Sequence, residues 1–319
     1  MTEPHIPHTC VVLKARLSAP HGVLTNERKE DTARIQSAID RCGAGMAVEL
    51  KASGRKDVFL SGPLQLKQGV TLLVDADAAL FASRNPRDYD VTPGSCGVVN
   101  DKGHGCNPFI LADHASGSGI MGDGVIDGRG GMPLLGQNAT WWDLAHTAKV
   151  TDKKQNCPRL VVVRESNDFV LYRITLRNSP NFHVLVERTN GFTAWGVRID
   201  TPATARNTDG IDPASSTNVS IVHSWIRTGD DDVAIKASGT VPSSHITVAD
   251  DHFYSGHGIS IGSETSGGVS TVRVHDLTID GADNGIRIKS DRSRGGLVTD
   301  VVYDNVCIRN VRNPIMLTP

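Results

Sequence analysis

An all-β solenoid, a parallel β-helix, is the fold class that three features of this sequence point to. Short β-branched runs recur with little helical periodicity between them. Glycine is abundant, at 32 of 319 residues, while aromatics make up only 5%. The C-terminal half also repeats itself: "DGIDPA", "DDVAIK", "GHGISIG", "NGIRIK" and "NPIMLT" each follow a polar or glycine turn, and their first apolar residues are Ile211, Val233, Ile259, Ile286 and Ile315. Subtraction gives steps of 22, 26, 27 and 29 residues, which suit coils whose loops lengthen while their strands stay stacked. Asn-Gly and Asp-Gly pairs spaced to close hairpins are scarce, which argues against an antiparallel sandwich.

From the N-terminus, "EDTARIQSAIDRC" predicts a helix, with Asp31 or Thr32 as cap and Ile35, Ala38 and Ile39 at helical spacing. Its expected place is over the open first coil, where it covers backbone edges and apolar side chains. "GDGVIDGRG" and "NFHVLVERTNGFTAWGVRI" read as earlier coils, and between them "LLGQNATWWDLAHTAKV" fits either a short helix or a long excursion. Alternation within the later strands puts Val233 with Ile235, Ile259 with Ile261, and Ile286 with Ile288 inside. Residues 1–319 read as a single domain.

Charge and hydropathy exclude several classes. Lys and Arg total 33 against 35 for Asp and Glu, a net charge of -2 that offers no field for nucleic acid or an anionic membrane. No apolar run approaches the roughly 20 residues that span a bilayer. "MTEPHIPHTC" has neither the basic nor the apolar region of a signal peptide. The six cysteines show no C-x-x-C spacing, so zinc is not expected. Cys96 and Cys106 bracket a polar loop that a disulfide could close, and Cys10 with Cys42 could tie down the N-terminal segment; six buried thiols are the alternative.

The chemistry emerges from register. Two residues before Ile211, Val233 and Ile259 stand Asp209, Asp231 and His257, which on stacked strands about 4.8 Å apart form a ladder with Asp230 beside it. On the next coil Arg287 and Lys289 face outward. Carboxylates this close cannot all ionise at neutral pH, so one keeps a proton to act as general acid while another activates water. That pairing suits glycosidic cleavage, and the two cations suit an anionic sugar polymer. Asp212, Asp232, Lys236 and His183 are assigned structural roles.

At these residues the sequence resembles glycoside hydrolase family 28, the pectin-cleaving polygalacturonases, and most closely its bacterial endo-acting members. "NTDGIDP", "GDDDVAIK", "GHGISIGSE" and "RIKS" match the family's four signature segments in order, and the likeness extends through "FLSGPL", "GVIDGRGG", "PRL" and "NSPNFHV". The resemblance implies a right-handed single-stranded parallel β-helix that hydrolyses α-1,4-linked galacturonan with inversion, without cofactor or metal, as a secreted monomer. It implies Asp230 as general acid, Asp209 and Asp231 as the pair that positions and deprotonates water, and His257 as a support for the acid. Arg287 and Lys289 would grip the galacturonate carboxylate. It also implies disulfides among Cys10, Cys42, Cys96 and Cys106, with Cys157 and Cys307 free. Relatives continue for several coils beyond "NPIMLTP", so the solenoid is expected to lack its last C-terminal coils. Two rival readings are a calcium-dependent pectate lyase with Arg287 as base, and a β-helix that only binds polysaccharide.

Overall fold

Strands stack in parallel along one axis, and the repeat read from the sequence is the register of one face. A computed structural model describes residues 2–24 and 26–318. On this face Ile110, Val161, Val184, Ile211, Val233, Ile259, Ile286 and Ile315 pair in succession. They belong to a nine-stranded parallel sheet. A further 17 strands build the other faces as two parallel ladders, which merge in the long strands Val269–Asp280 and Val298–Arg309. The chain is therefore a parallel β-helix, and its backbone bonds are satisfied between coils rather than within hairpins.

The core runs down the axis. Val161, Val184, Ile211, Val233, Ile235, Ile259 and Ile261 are fully buried, and each such side chain contributes about 1.5–3 kcal/mol of burial free energy. Burial weakens at the far end, where Ile288 still packs against the core. Ile288 is only half-buried, and Ile315 is 67% exposed although it holds the inward position. Strand Asn313–Thr318 is the last rung described, so its inward side chains have a neighbour on one side only.

Helix α1 (Thr32–Arg41) covers the first coils with Ile35, Ala38 and Ile39 buried. Asp31 holds the N-cap position, but its side chain makes no capping bond: Arg34 takes the carboxylate at 2.6 and 2.9 Å. Cys42, just past the helix, is disulfide-bonded to Cys10 on strand Thr9–Lys14. Cys96 and Cys106 form the second disulfide, while Cys157 is free and buried and Cys307 free and exposed.

The segment left open between helix and excursion is both. Between Ile110 and Val161, which pair directly, one coil carries helix α2 (Trp141–Val150). Thr140 and Asp143 form a reciprocal capping box, and Trp141, Ala145 and Ala148 are buried beneath it. Strand Lys154–Gln155 then pairs antiparallel with Val99–Asn100, fixing the end of α2 to the Cys96–Cys106 loop. No described helix is long and apolar enough to cross a membrane.

Candidate active site

Four consecutive coils bring the predicted residues together. Because Ile211, Val233 and Ile259 pair rung to rung, Asp209, Asp231 and His257 stack two positions before them. The Gly210 amide donates to the Asp231 carbonyl at 2.8 Å, which places the two aspartates on neighbouring rungs. The "GHG" motif is a backbone requirement. Gly256 and Gly258 have φ of +63° and +60°, and a Cβ there would run into the carbonyl oxygens of Asp230 and Gly285. That turn lets the His257 amide donate to the Asp230 carbonyl at 2.8 Å and sets its imidazole Nδ1 3.2 Å from the Asp230 carboxylate.

Asp231 is the hub. Only 2% exposed, it accepts from Lys289 Nζ at 2.8 Å, from Ser260 Oγ at 2.9 Å and from Arg287 Nη2, while Arg287 Nε also donates to Ser260 Oγ at 3.0 Å. Arg287 and Lys289 do face outward, as their alternation predicts, but they are ion-paired within the protein rather than solvated. The reason is the stacking itself: strand Asn284–Lys289 lies two rungs from Asp231, within reach of two long cationic side chains.

Two residues assigned structural roles from sequence belong to the cluster. Lys236 Nζ ion-pairs with Asp212 and lies 3.5 Å from Asp209 Oδ2, with its ammonium 4.4 Å from the centre of the Phe182 ring. The signal was available in the same register. Asp212, Ser260 and Arg287 each follow the first inward residue of their coil, and Lys236 and Lys289 stand three positions after theirs. His183 and Asp232 are structural as read. His183 is fully buried, its Nδ1 facing the carbonyls of Thr208 and Asp209 and its Nε2 2.8 Å from Thr201 Oγ1. Asp232 accepts from Thr228 Oγ1 and the Gly258 amide, which holds the histidine turn in place.

The protons sit differently from the sequence expectation. Burial and the neighbouring Asp212 push the Asp209 carboxyl well above the usual range, although Lys236 opposes them. Burial lifts Asp212 to about 6 against the pull of Lys236 and raises Asp232 well above the ordinary value. Asp230 goes the other way: burial raises it, but His257 and Lys289 outweigh burial and hold it low. Close carboxylates do share protons here, but in the free protein Asp230 is not the one that keeps its proton.

Buried carboxyls on neighbouring rungs, one of them beside a histidine, face two cations carried on one strand, and the family description "Glycosyl hydrolases family 28" matches residues 42–318. The chain belongs to that family. It is 49% identical over 318 residues to an endo-polygalacturonase of Pectobacterium carotovorum subsp. carotovorum, covering 99% of this chain and 76% of the relative. A polygalacturonase of Ralstonia solanacearum is 45% identical, with 100% of this chain and 69% of that protein covered. The solved polygalacturonase from Erwinia carotovora ssp. carotovora superposes with a TM-score of 0.95 at 47% identity, covering 100% of this chain and 82% of that one. The chain is thus a glycoside hydrolase of family 28 on a parallel β-helix.

Proposed function

We propose that this family 28 hydrolase cleaves α-1,4 bonds of polygalacturonate in endo fashion and with inversion, as a secreted monomer of one domain. The observation that carries the reading is the placement of Arg287 and Lys289 on Asp231, one rung beyond His257 and two beyond Asp230. A uronate carboxylate can compete for those two cations, Arg287 binding through its fork and Lys289 as a point charge. The two disulfides agree with an oxidising, extracellular compartment.

In this reading Asp230 gives its proton to the glycosidic oxygen as the bond to the anomeric carbon breaks. A water held between Asp209 and Asp231 attacks the opposite face of that carbon and loses its proton to them. Asp209 Oδ1 has no hydrogen-bond partner within the described protein and is free to accept from that water. Substrate binding also resolves the ionisation problem. Lys289 helps to hold Asp230 low, so a uronate carboxylate that neutralises Lys289 raises the proton affinity of the acid as the substrate arrives. Lys236 opposes the rise at Asp209 and so favours the ionised form that a base needs.

Asp230, Asp231 and His257 offer donor atoms within 4.8 Å of one another, the observation that favours a calcium-dependent lyase as second reading. Arg287 and Lys289 already occupy Asp231 and would repel a divalent ion, which favours the hydrolase. Product analysis on polygalacturonate with and without chelator separates the readings. The hydrolase releases saturated reducing ends in both conditions, whereas an unsaturated product lost on chelation identifies the lyase. Retention of the polymer without new reducing ends leaves a binding module.

A further inference from the structure

The ammonium of Lys236 is enclosed by three groups. Asp212 ion-pairs with it, Asp209 Oδ2 stands 3.5 Å away, and the centre of the Phe182 ring lies 4.4 Å off. Only 15% of the lysine side chain is exposed, against 5% for Asp209 and none for Asp212. Its backbone is pinned as well. The Lys236 amide donates to the Pro213 carbonyl at 2.8 Å, and the Lys236 carbonyl accepts from the Ser215 amide at 2.9 Å and from Ser243 Oγ at 2.7 Å. Lys236 is therefore bridged to Ala214 across one rung, and its side chain runs back two positions to reach Asp212. Asp209 Oδ1 and Asp212 Oδ1 are both buried without a hydrogen-bond partner within the described protein. Two carboxyls thus share one ammonium, and a negative charge is left uncompensated whenever both ionise.

We propose that Lys236, clamped by Asp212, is a positioning residue of the hydrolysis: its ammonium takes Oδ2 of Asp209 and leaves Oδ1 for the attacking water. The inference rests on the polygalacturonate reading and deepens it, because it divides the work between the two carboxylates that hold the water. Asp231 already accepts from Lys289, Ser260 and Arg287, so it orients the water and is a poor acceptor for a proton. Asp209 has one cation and one free oxygen. An O–H bond of the water therefore breaks toward Asp209 Oδ1 while the water oxygen bonds to the anomeric carbon. The electrons of the glycosidic bond leave with the sugar oxygen, which Asp230 protonates. The charges that face Asp209 are Asp212 on its own coil, Lys236, Asp230 and Asp231 on the next, and Arg159 two coils earlier, while His183 meets its backbone carbonyl. Of the two cations, Lys236 alone comes within ion-pair distance among the described residues. It is the group that sets how readily the base ionises.

The test reads the acid limb of the pH profile of kcat/KM on polygalacturonate, which reports the ionisation of Asp209 in this scheme. The two partners should move it in opposite directions. Lys236→Gln removes the cation and should shift the limb to higher pH by about one unit, with activity below the limb reduced about tenfold and through kcat rather than KM. Asp212→Asn removes the competing negative charge and should shift the limb to lower pH. Lys236→Arg keeps the charge and should leave the limb within about half a unit of wild type. A limb that stays in place in Lys236→Gln and Asp212→Asn, or moves the same way in both, overturns the assignment. So does a loss confined to KM in Lys236→Gln, which would make Lys236 a substrate ligand. If Lys236→Gln does not fold, an unmoved limb in Asp212→Asn is enough to overturn it. A wild-type enzyme inert toward polygalacturonate overturns the underlying reading instead.

Discussion

Replacing Arg287 by alanine should damage the fold as well as the reaction, although an outward position on a strand suggests that only the reaction would suffer. Asp231 is 2% exposed and Arg287 only 12%, so their contact is a largely desolvated ion pair that holds a buried carboxylate. Without Arg287 that carboxylate keeps Lys289 at 2.8 Å and Ser260 at 2.9 Å but loses one charge-assisted partner, and Ser260 loses its own bond from Arg287 Nε. One such bond contributes about 1.5–3 kcal/mol, so the variant should lose roughly 2 kcal/mol of stability. The same group grips substrate in the proposed mechanism, so kcat/KM on polygalacturonate should fall by a similar free energy, roughly 10- to 150-fold. Arg287→Lys retains the charge and should restore much of the stability but little of the rate, because the planar fork is gone. Urea denaturation followed by fluorescence reads the first effect, and release of reducing ends reads the second. A variant as stable as wild type to within about half a kcal/mol would show that the ion pair does not support the fold. Unimpaired turnover would remove Arg287 from the site.

Asp230→Asn should abolish nearly all turnover while preserving binding, since the amide keeps the shape but has no proton to give; in wild type the alkaline limb of kcat should lie at higher pH than that of kcat/KM, because Asp230 is held low only until substrate arrives. Coincident limbs would refute that linkage. NMR of the first-formed reducing end should show the β-anomer, and an α-anomer would mean that Asp209 and Asp231 do not act on a water. Thiol titration under denaturing conditions should find two of the six cysteines free, and opening Cys96–Cys106 should cost about 2.5 kcal/mol; six free thiols would refute both bridges. His183 is depressed by burial to about 4, below its unfolded value of about 6.5, so the stability it confers is present above pH 6.5 and is lost as pH falls toward 4. The stability difference between wild type and His183→Gln should therefore shift by roughly 3 kcal/mol against wild type across that window, and a flat difference would mean that His183 is not held neutral.

What was legible in the sequence is whatever repeats. The steps of 22, 26, 27 and 29 residues coincide with the paired rungs because a parallel coil must bring each inward residue over the last, and the same constraint carries Asp209, Asp231 and His257 into line. Lys236 and Asp212 obey it too, but one rung apart from their partners they read as ordinary solvated charges. Helix α2 escapes the period, since it lies on an excursion between two paired residues, and its trace in the sequence is the Thr140–Asp143 capping box. The ionisation of Asp230 is not legible in the sequence because it depends on His257 and Lys289 reaching across coils, a side-chain geometry that register alone does not contain.

The tie from Asp231 to strand Asn284–Lys289 skips the intervening coil, and this bears on how the molecule assembles. A stack of this kind folds as a chain of neighbour-to-neighbour steps, each rung templating the next. When coils through residue 261 are in place the acidic rungs are already adjacent, but Arg287 and Lys289 have yet to arrive, and of the side chains that donate to Asp231 only Ser260 is in position. Docking of the next strand brings both cations at once. Until that strand docks, the crowded acidic rungs lack these two cations, and the groups proposed to hold substrate are the ones that relieve the repulsion.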